Sequence, residues 1–202
     1  MKKPSNYDQI SVNPDGFQAL PAGNYVCTIM EVLETQSSGG NDMLKISLDI
    51  AEGDFKGYYT DLYKNNTNEH KKWGCVKYLV TGGQYGDRNL KAFVTAVENS
   101  NSGFKASWTD KFGAAFKGKI VGCSCGREEY IGNDGAAHWS TKPQYFRTAA
   151  KVRSGELEIL ADKELSDDDK ERLEAKASAP DPITDPDGFM NIPDNLQEEL
   201  PF

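Results

Sequence analysis

In the segment Met43 to Ile50, apolar and polar residues alternate without a break from Leu44 on, with Leu44, Ile46, Leu48 and Ile50 set against Lys45, Ser47 and Asp49. A period of two is the signature of a strand that buries one face. Upstream, Tyr25 to Leu33 is rich in Val, Ile, Tyr and Thr and is apolar on both faces, and Ser37 to Asp42 has the composition of a hairpin loop. After the turn at Asp54 to Gly57, the aromatic stretch Tyr58 to Lys64 reads as a third strand.

The period then changes. Thr67 is placed to cap a helix carrying Trp73, Val76, Leu79 and Val80, closed by Gly82-Gly83. Asp87 or Asn89 opens a second helix with Leu90, Phe93, Val94 and Val97, and Thr109 a short third one with Phe112, Ala115 and Phe116. Strand signals resume from Lys119 to Tyr130. A turn follows at Ile131 to Gly135, then a last strand from Ala137 to Val152 broken or bulged at Pro143. The expected fold is mainly β with a helical insert: a five-stranded OB-type barrel with its helices between strands 3 and 4. An α+β fold with two sheets shares the same element order.

Past Val152 the apolar pattern fades. Ser166 and Asp169 form a capping box for a charged helix from Asp167 to Ala177. Beyond it Pro180, Pro182, Pro186 and Pro193 lie among acidic and polar residues, a disordered composition. The expected organisation is an N-terminal arm over 1–19, a domain over 20–153 and an acidic tail over 154–202.

Charge follows the same division. The net charge of −8 argues against a polyanionic partner, but Glu164 to Phe202 holds 12 acidic and 3 basic residues, leaving 19 acidic and 20 basic before it. A near-neutral body and an acidic tail have separate electrostatic tasks. No stretch approaches the roughly 18 apolar residues of a membrane helix. Met1-Lys2-Lys3 is followed by polar Pro4 to Gln9 and not by the apolar segment of a secretion signal. Cys27, Cys75, Cys123 and Cys125 form no disulfide framework. A soluble, cytoplasmic protein is expected.

Catalytic signals are weak. Gly113 to Ile120 nearly matches a phosphate-binding loop, but it lacks the final Ser or Thr and precedes a strand where such a loop follows one. His70, Cys75, Cys123 and Cys125 have no zinc-motif spacing. No catalytic residue, metal or cofactor is expected.

Binding signals are stronger. Single-stranded nucleic acid is held by basic grooves with aromatic rings on which bases stack. Here Lys56 precedes Tyr58 and Tyr59, Lys64 follows Tyr63, Lys71 and Lys72 precede Trp73, and Trp139 and Lys142 precede Tyr145, Phe146 and Arg147. With Lys45 on the second strand, the nucleic-acid-binding candidates are Lys45, Lys56, Tyr58, Tyr59, Tyr63, Lys64, Lys71, Lys72, Trp73, Trp139, Lys142, Tyr145 and Arg147. Phe93, Phe112 and Phe116 sit on helix faces and are assigned to the core. Trp73 lies on the apolar side of its expected helix, which favours a core role, and is retained among the candidates. On a strand Tyr58 and Tyr59 face opposite sides, so at most one points inward.

The chain ends Leu196-Gln197-Glu198-Glu199-Leu200-Pro201-Phe202. A terminal phenylalanine beside carboxylates has the chemistry of a docking peptide, which makes Glu198, Glu199, Leu200, Pro201 and Phe202 the partner-binding candidates. This tip resembles that of bacterial and phage single-stranded DNA-binding proteins, with glutamates where aspartates are usual. Leu20-Pro21-Ala22-Gly23-Asn24-Tyr25 is similar to phage-encoded members of Gram-positive hosts. The resemblance implies an OB-fold that coats single strands with little sequence preference in replication, recombination or repair. It also implies recruitment of other replication proteins by the tip. The helical insert departs from the bacterial housekeeping type. The alternatives are a nuclease or strand-annealing factor, or an adaptor without nucleic-acid contact.

Overall fold

The computed structural model of the chain describes residues 19–132 and 134–178. Five antiparallel strands form one sheet in the order β3-β2-β1-β4-β5, from β1 (Gly23–Gln36), β2 (Asp42–Ile50), β3 (Val76–Val80), β4 (Ile120–Ile131) and β5 (Ala137–Arg147). Among the described residues no ladder joins β3 to β5, so the sheet is open. Helix α1 (Tyr58–Asn65) lies between β2 and β3, and α2 (Gly83–Ser100) with a 3₁₀ turn (Gly113–Phe116) between β3 and β4. Helices α3 (Ala149–Arg153) and α4 (Asp167–Ser178) follow β5.

One sheet face carries the core. Ile29, Ile46, Leu48 and Val121 are fully buried with Phe93 and Val97 of α2 and Phe116 of the 3₁₀ turn. Phe93 stacks on Phe116 at 5.0 Å and meets Phe146 at 4.7 Å. Asn101 ends α2 and fastens it to β4: its side chain donates to the Ile120 carbonyl and accepts the Ile120 N–H. The 3₁₀ turn lies so close to β1 that a Cβ on Gly113 would stand 2.5 Å from the Val32 carbonyl oxygen.

The expected helical segment between strands 3 and 4 is present, but four local expectations are corrected. Tyr58 to Lys64 is a helix, not a strand. Gly57, at φ 77°, turns the chain in a conformation that favours glycine. The Asp49 carboxylate then accepts the N–H groups of Tyr59 (3.0 Å) and Thr60 (3.3 Å), capping α1 from a neighbouring strand. This long-range cap overrides the strand preference of the tyrosines.

The helix expected over 67–80 is instead a connection followed by β3. Val76, Leu79 and Val80 fit a helical spacing, but the free edge of β2 offers a ladder, and Tyr78 pairs with Lys45 and Val80 with Met43. Gly82-Gly83 starts α2 and does not terminate a helix: Gly82 stands at its N-cap, and Asp87 accepts the Gly82 N–H.

The last strand ends at Arg147, after a register shift at Pro143, because Thr148 caps α3 by accepting the Lys151 N–H. The chain then returns to the sheet. Asn24 donates to the carbonyls of Leu157 and Glu158, Glu129 N–H donates to the Lys163 carbonyl, and Lys163 N–H donates to the Arg127 carbonyl. The outer half of β4, past the residues paired with β1, has an open edge that this segment fills.

Candidate nucleic-acid interface

On the face opposite the core, cross-strand pairing of β1, β2 and β3 sets three rows side by side: Glu31, Ser47 and Val76; Leu33, Lys45 and Tyr78; Thr35, Met43 and Val80. Directly opposed residues on one face have Cβ atoms about 5 Å apart. The connection between α1 and β3 folds over the first row, where Trp73 is fixed by donating its indole N–H to the Leu48 carbonyl at 2.7 Å. Tyr63 of α1 packs against Trp73 at 5.5 Å, with the Lys71 ammonium 4.5 Å above its ring.

These residues wall a cleft of about 560 Å³ lined by Lys45, Tyr63, Lys71, Lys72, Trp73, Tyr78 and Lys142. One acidic residue, Glu31, joins the lining. Lys142, from β5, is partly neutralised by Glu128 at 3.8 Å.

Tyr78 also lines a second cleft, of about 570 Å³, between the two edge strands. There Lys77, Tyr85, Tyr145 and Arg147 contribute, and among the described residues no acidic side chain does. Tyr78 and Tyr145 are more than half exposed, at 55% and 52%, and the Arg147 guanidinium lies 5.3 Å from the Tyr145 ring. Along this path, among the described residues, six cations face one carboxylate in a protein of net charge −8. Screening limits exposed charges to about 8–10 Å, so this local balance governs an anion's approach.

A third cleft shares Gly74 with the first and is lined by Leu20, Pro21, Tyr58, Leu62, Arg127, Trp139 and Asp162. Trp139 is 39% exposed, and Arg127 lies 4.7 Å above its ring.

The sequence candidates therefore divide. Lys45, Tyr63, Lys71, Lys72, Trp73 and Lys142 meet in the central cleft, Tyr145 and Arg147 in the second, and Tyr58 and Trp139 in the third. Lys56 and Lys64 are exposed outside all three. Tyr59 is core, at 5% exposure, and burial raises its phenol pKa. Tyr58 is half-buried, its hydroxyl accepting the Leu20 N–H at 3.2 Å, and burial raises its pKa too. Glu198, Glu199, Leu200, Pro201 and Phe202 lie outside the described residues.

Tyr78, Lys77, Tyr85 and Arg127 were not foreseen. Tyr78 stays hidden while 67–80 is read as a helix, and only the β2 register sets it opposite Lys45. Arg127 follows Cys123 and Cys125 at the strand period, a signal available in the sequence.

The four cysteines are buried, with the Sγ atoms of Cys123 and Cys125 3.8 Å apart. Burial pushes the Cys27 and Cys75 thiols up, and the contact with Cys125, then burial, does the same for Cys123. Among the described residues no three His, Cys, Asp or Glu side chains gather as a metal site, and no helix is long and apolar enough to cross a membrane.

Residues 5–101 match the family described as a protein of unknown function (DUF669). The matched region takes in β1, β2, α1, β3 and α2, hence most of the central cleft's wall, and leaves out β4 and β5. No curated protein matches the chain.

Proposed function

We propose that this protein is a non-enzymatic single-stranded DNA-binding protein, and that the strand lies in the two clefts joined at Tyr78. The observation that carries this reading is the lining itself. Phosphates need fixed cations, bases need exposed ring faces, and among the described residues the path offers six cations and a single acid beside exposed Tyr63, Tyr78 and Tyr145, with partly buried Trp73 backing Tyr63. Tyr63 with Trp73, Tyr78 and Tyr145 stand on different elements, which suits bases spaced along a flexible backbone. Contacts of this kind read no base edge, so little sequence preference is expected.

The sheet supports the same reading. In its order β1 pairs with both β2 and β4, and the edge strands β3 and β5 flank one cleft. We take it as a partly open OB-type barrel, whose second- and third-strand face is the usual platform for oligonucleotides. The Glu198 to Phe202 tip would recruit replication, recombination or repair proteins, with its apolar terminus as anchor.

The test is titration with fluorescein-labelled oligothymidine and with a duplex of equal length, using the intact chain and one lacking Asp194 to Phe202. Single strands should bind far more tightly than duplex, and the truncated chain should bind them at least as well. Equal affinity for duplex and single strand, or loss of binding on truncation, refutes the reading.

A further inference from the structure

The third cleft holds an ion pair whose acidic member is set in place by the main chain. Arg127 lies above the Trp139 ring and contacts the Asp162 carboxylate at 3.2 Å. Asp162 is not on a loose tail. The Lys163 N–H and carbonyl are both bonded to β4, at the Arg127 carbonyl and the Glu129 N–H. Upstream, Leu157 and Glu158 are tied to Asn24, and downstream the Leu165 N–H donates to Glu129 at 3.1 Å. The backbone that carries the carboxylate is thus held in place beside the guanidinium, while the Asp162 side chain itself is 44% exposed.

The cleft is continuous with the basic one. Gly74 lines both and is exposed. The junction is bare backbone that a chain can cross. Beyond it stand an indole ring and a guanidinium, the pair that binds a base and its phosphate.

We propose that this cleft is a further nucleotide subsite, in which Arg127 takes a phosphate of the bound strand and Asp162 holds that place in the free protein. The proposal rests on the single-strand reading and extends its path across Gly74 to Trp139. Both side chains of the ion pair are about four-tenths exposed. An exposed pair of this kind shifts an equilibrium by at most about fivefold. A phosphate that brings a stacked base with it outcompetes such a pair. The exchange needs only a side-chain rotation of Asp162, since the Lys163 bonds to β4 stay in place.

The experiment uses the full chain and fluorescein-labelled oligothymidines of about 4 and about 16 nucleotides, the span of single-strand site sizes per OB domain. Asp162→Asn, nearly isosteric, should tighten the long strand by about two- to fivefold at low salt and leave the short one unchanged. Arg127→Gln should lower the long strand's salt slope by about 0.7 and spare the short one. Trp139→Phe should remove part of the fluorescence quenching by the long strand only. If Asp162→Asn changes both lengths equally, it reports general charge, and the subsite is refuted; no change at either length refutes it as well. If wild type binds neither strand, the single-strand reading itself fails. If it binds both and the three variants match it, only the subsite fails.

Discussion

Replacing Tyr78 by alanine tests the proposed path at the residue its two clefts share. The ring is 55% exposed and stands on an edge strand, so its removal opens no cavity and should change stability by at most about 1 kcal/mol. Stacking of a base on an aromatic ring is worth about 1–3 kcal/mol, which weakens binding by about 5- to 150-fold when lost. That loss should not depend on salt, because no charge is removed. Lys45→Gln, at the position directly opposite, provides the contrast. One lost phosphate contact lowers the salt slope by about 0.7, or about two- to threefold in affinity between 50 and 200 mM salt. The wild-type slope should be roughly −3.5 to −4, for five or six cations along the path with Lys142 discounted for its Glu128 partner. Anisotropy of labelled oligothymidine at several salt concentrations, beside thermal melting of each variant, separates the terms. A Tyr78→Ala protein that melts like wild type and binds within twofold of it would refute the stacking path. So would a loss that vanishes as salt rises.

Two further outcomes follow from the fold. Asp49 is buried and caps α1 through two backbone N–H groups while also accepting that of Ile50, so Asp49→Ala should cost roughly 2–4 kcal/mol in urea unfolding; an unchanged midpoint would show that α1 does not depend on this cap. The raised thiols of Cys27, Cys75 and Cys123 should leave the native protein nearly inert to a disulfide reagent at about pH 8, with all four cysteines reacting in urea. Their stabilising share is complete below the ordinary thiol pKa of about 8.5 and declines above it, because unfolding then releases protons the native state retains; stability that is flat from about pH 8 to 10.5 would contradict these shifts.

Much of the architecture is local and was therefore legible in the sequence. The strict alternation of Leu44 to Ile50 and the hairpin signals at Ser37 to Asp42 define β1 and β2. The three-four spacing of Leu90, Phe93, Val94 and Val97 defines α2, and the Ile131 to Gly135 turn joins β4 to β5. These patterns express which face a segment must bury, and that is written in residue order. The interleaving of lysines with aromatics is itself written in residue order, and five of the candidates it marked, Tyr63, Lys71, Lys72, Trp73 and Lys142, line one cleft.

What the tertiary structure decided are the elements whose partners lie far along the chain. Tyr58 to Asn65 became a helix because Asp49, ten residues before Tyr59, supplies the carboxylate that caps it. Val76 to Val80 became a strand because β2 had an unpaired edge, and a ladder of backbone hydrogen bonds outweighs a helical spacing in which only Leu79 is buried. The strand set Tyr78 opposite Lys45, and the Asp49-capped helix placed Tyr59 in the core. The same fold brought Tyr63 and Trp73 together above the sheet. Neither neighbour in sequence nor composition specifies such pairings. They arise only when strand edges and buried polar groups find the partners that satisfy them.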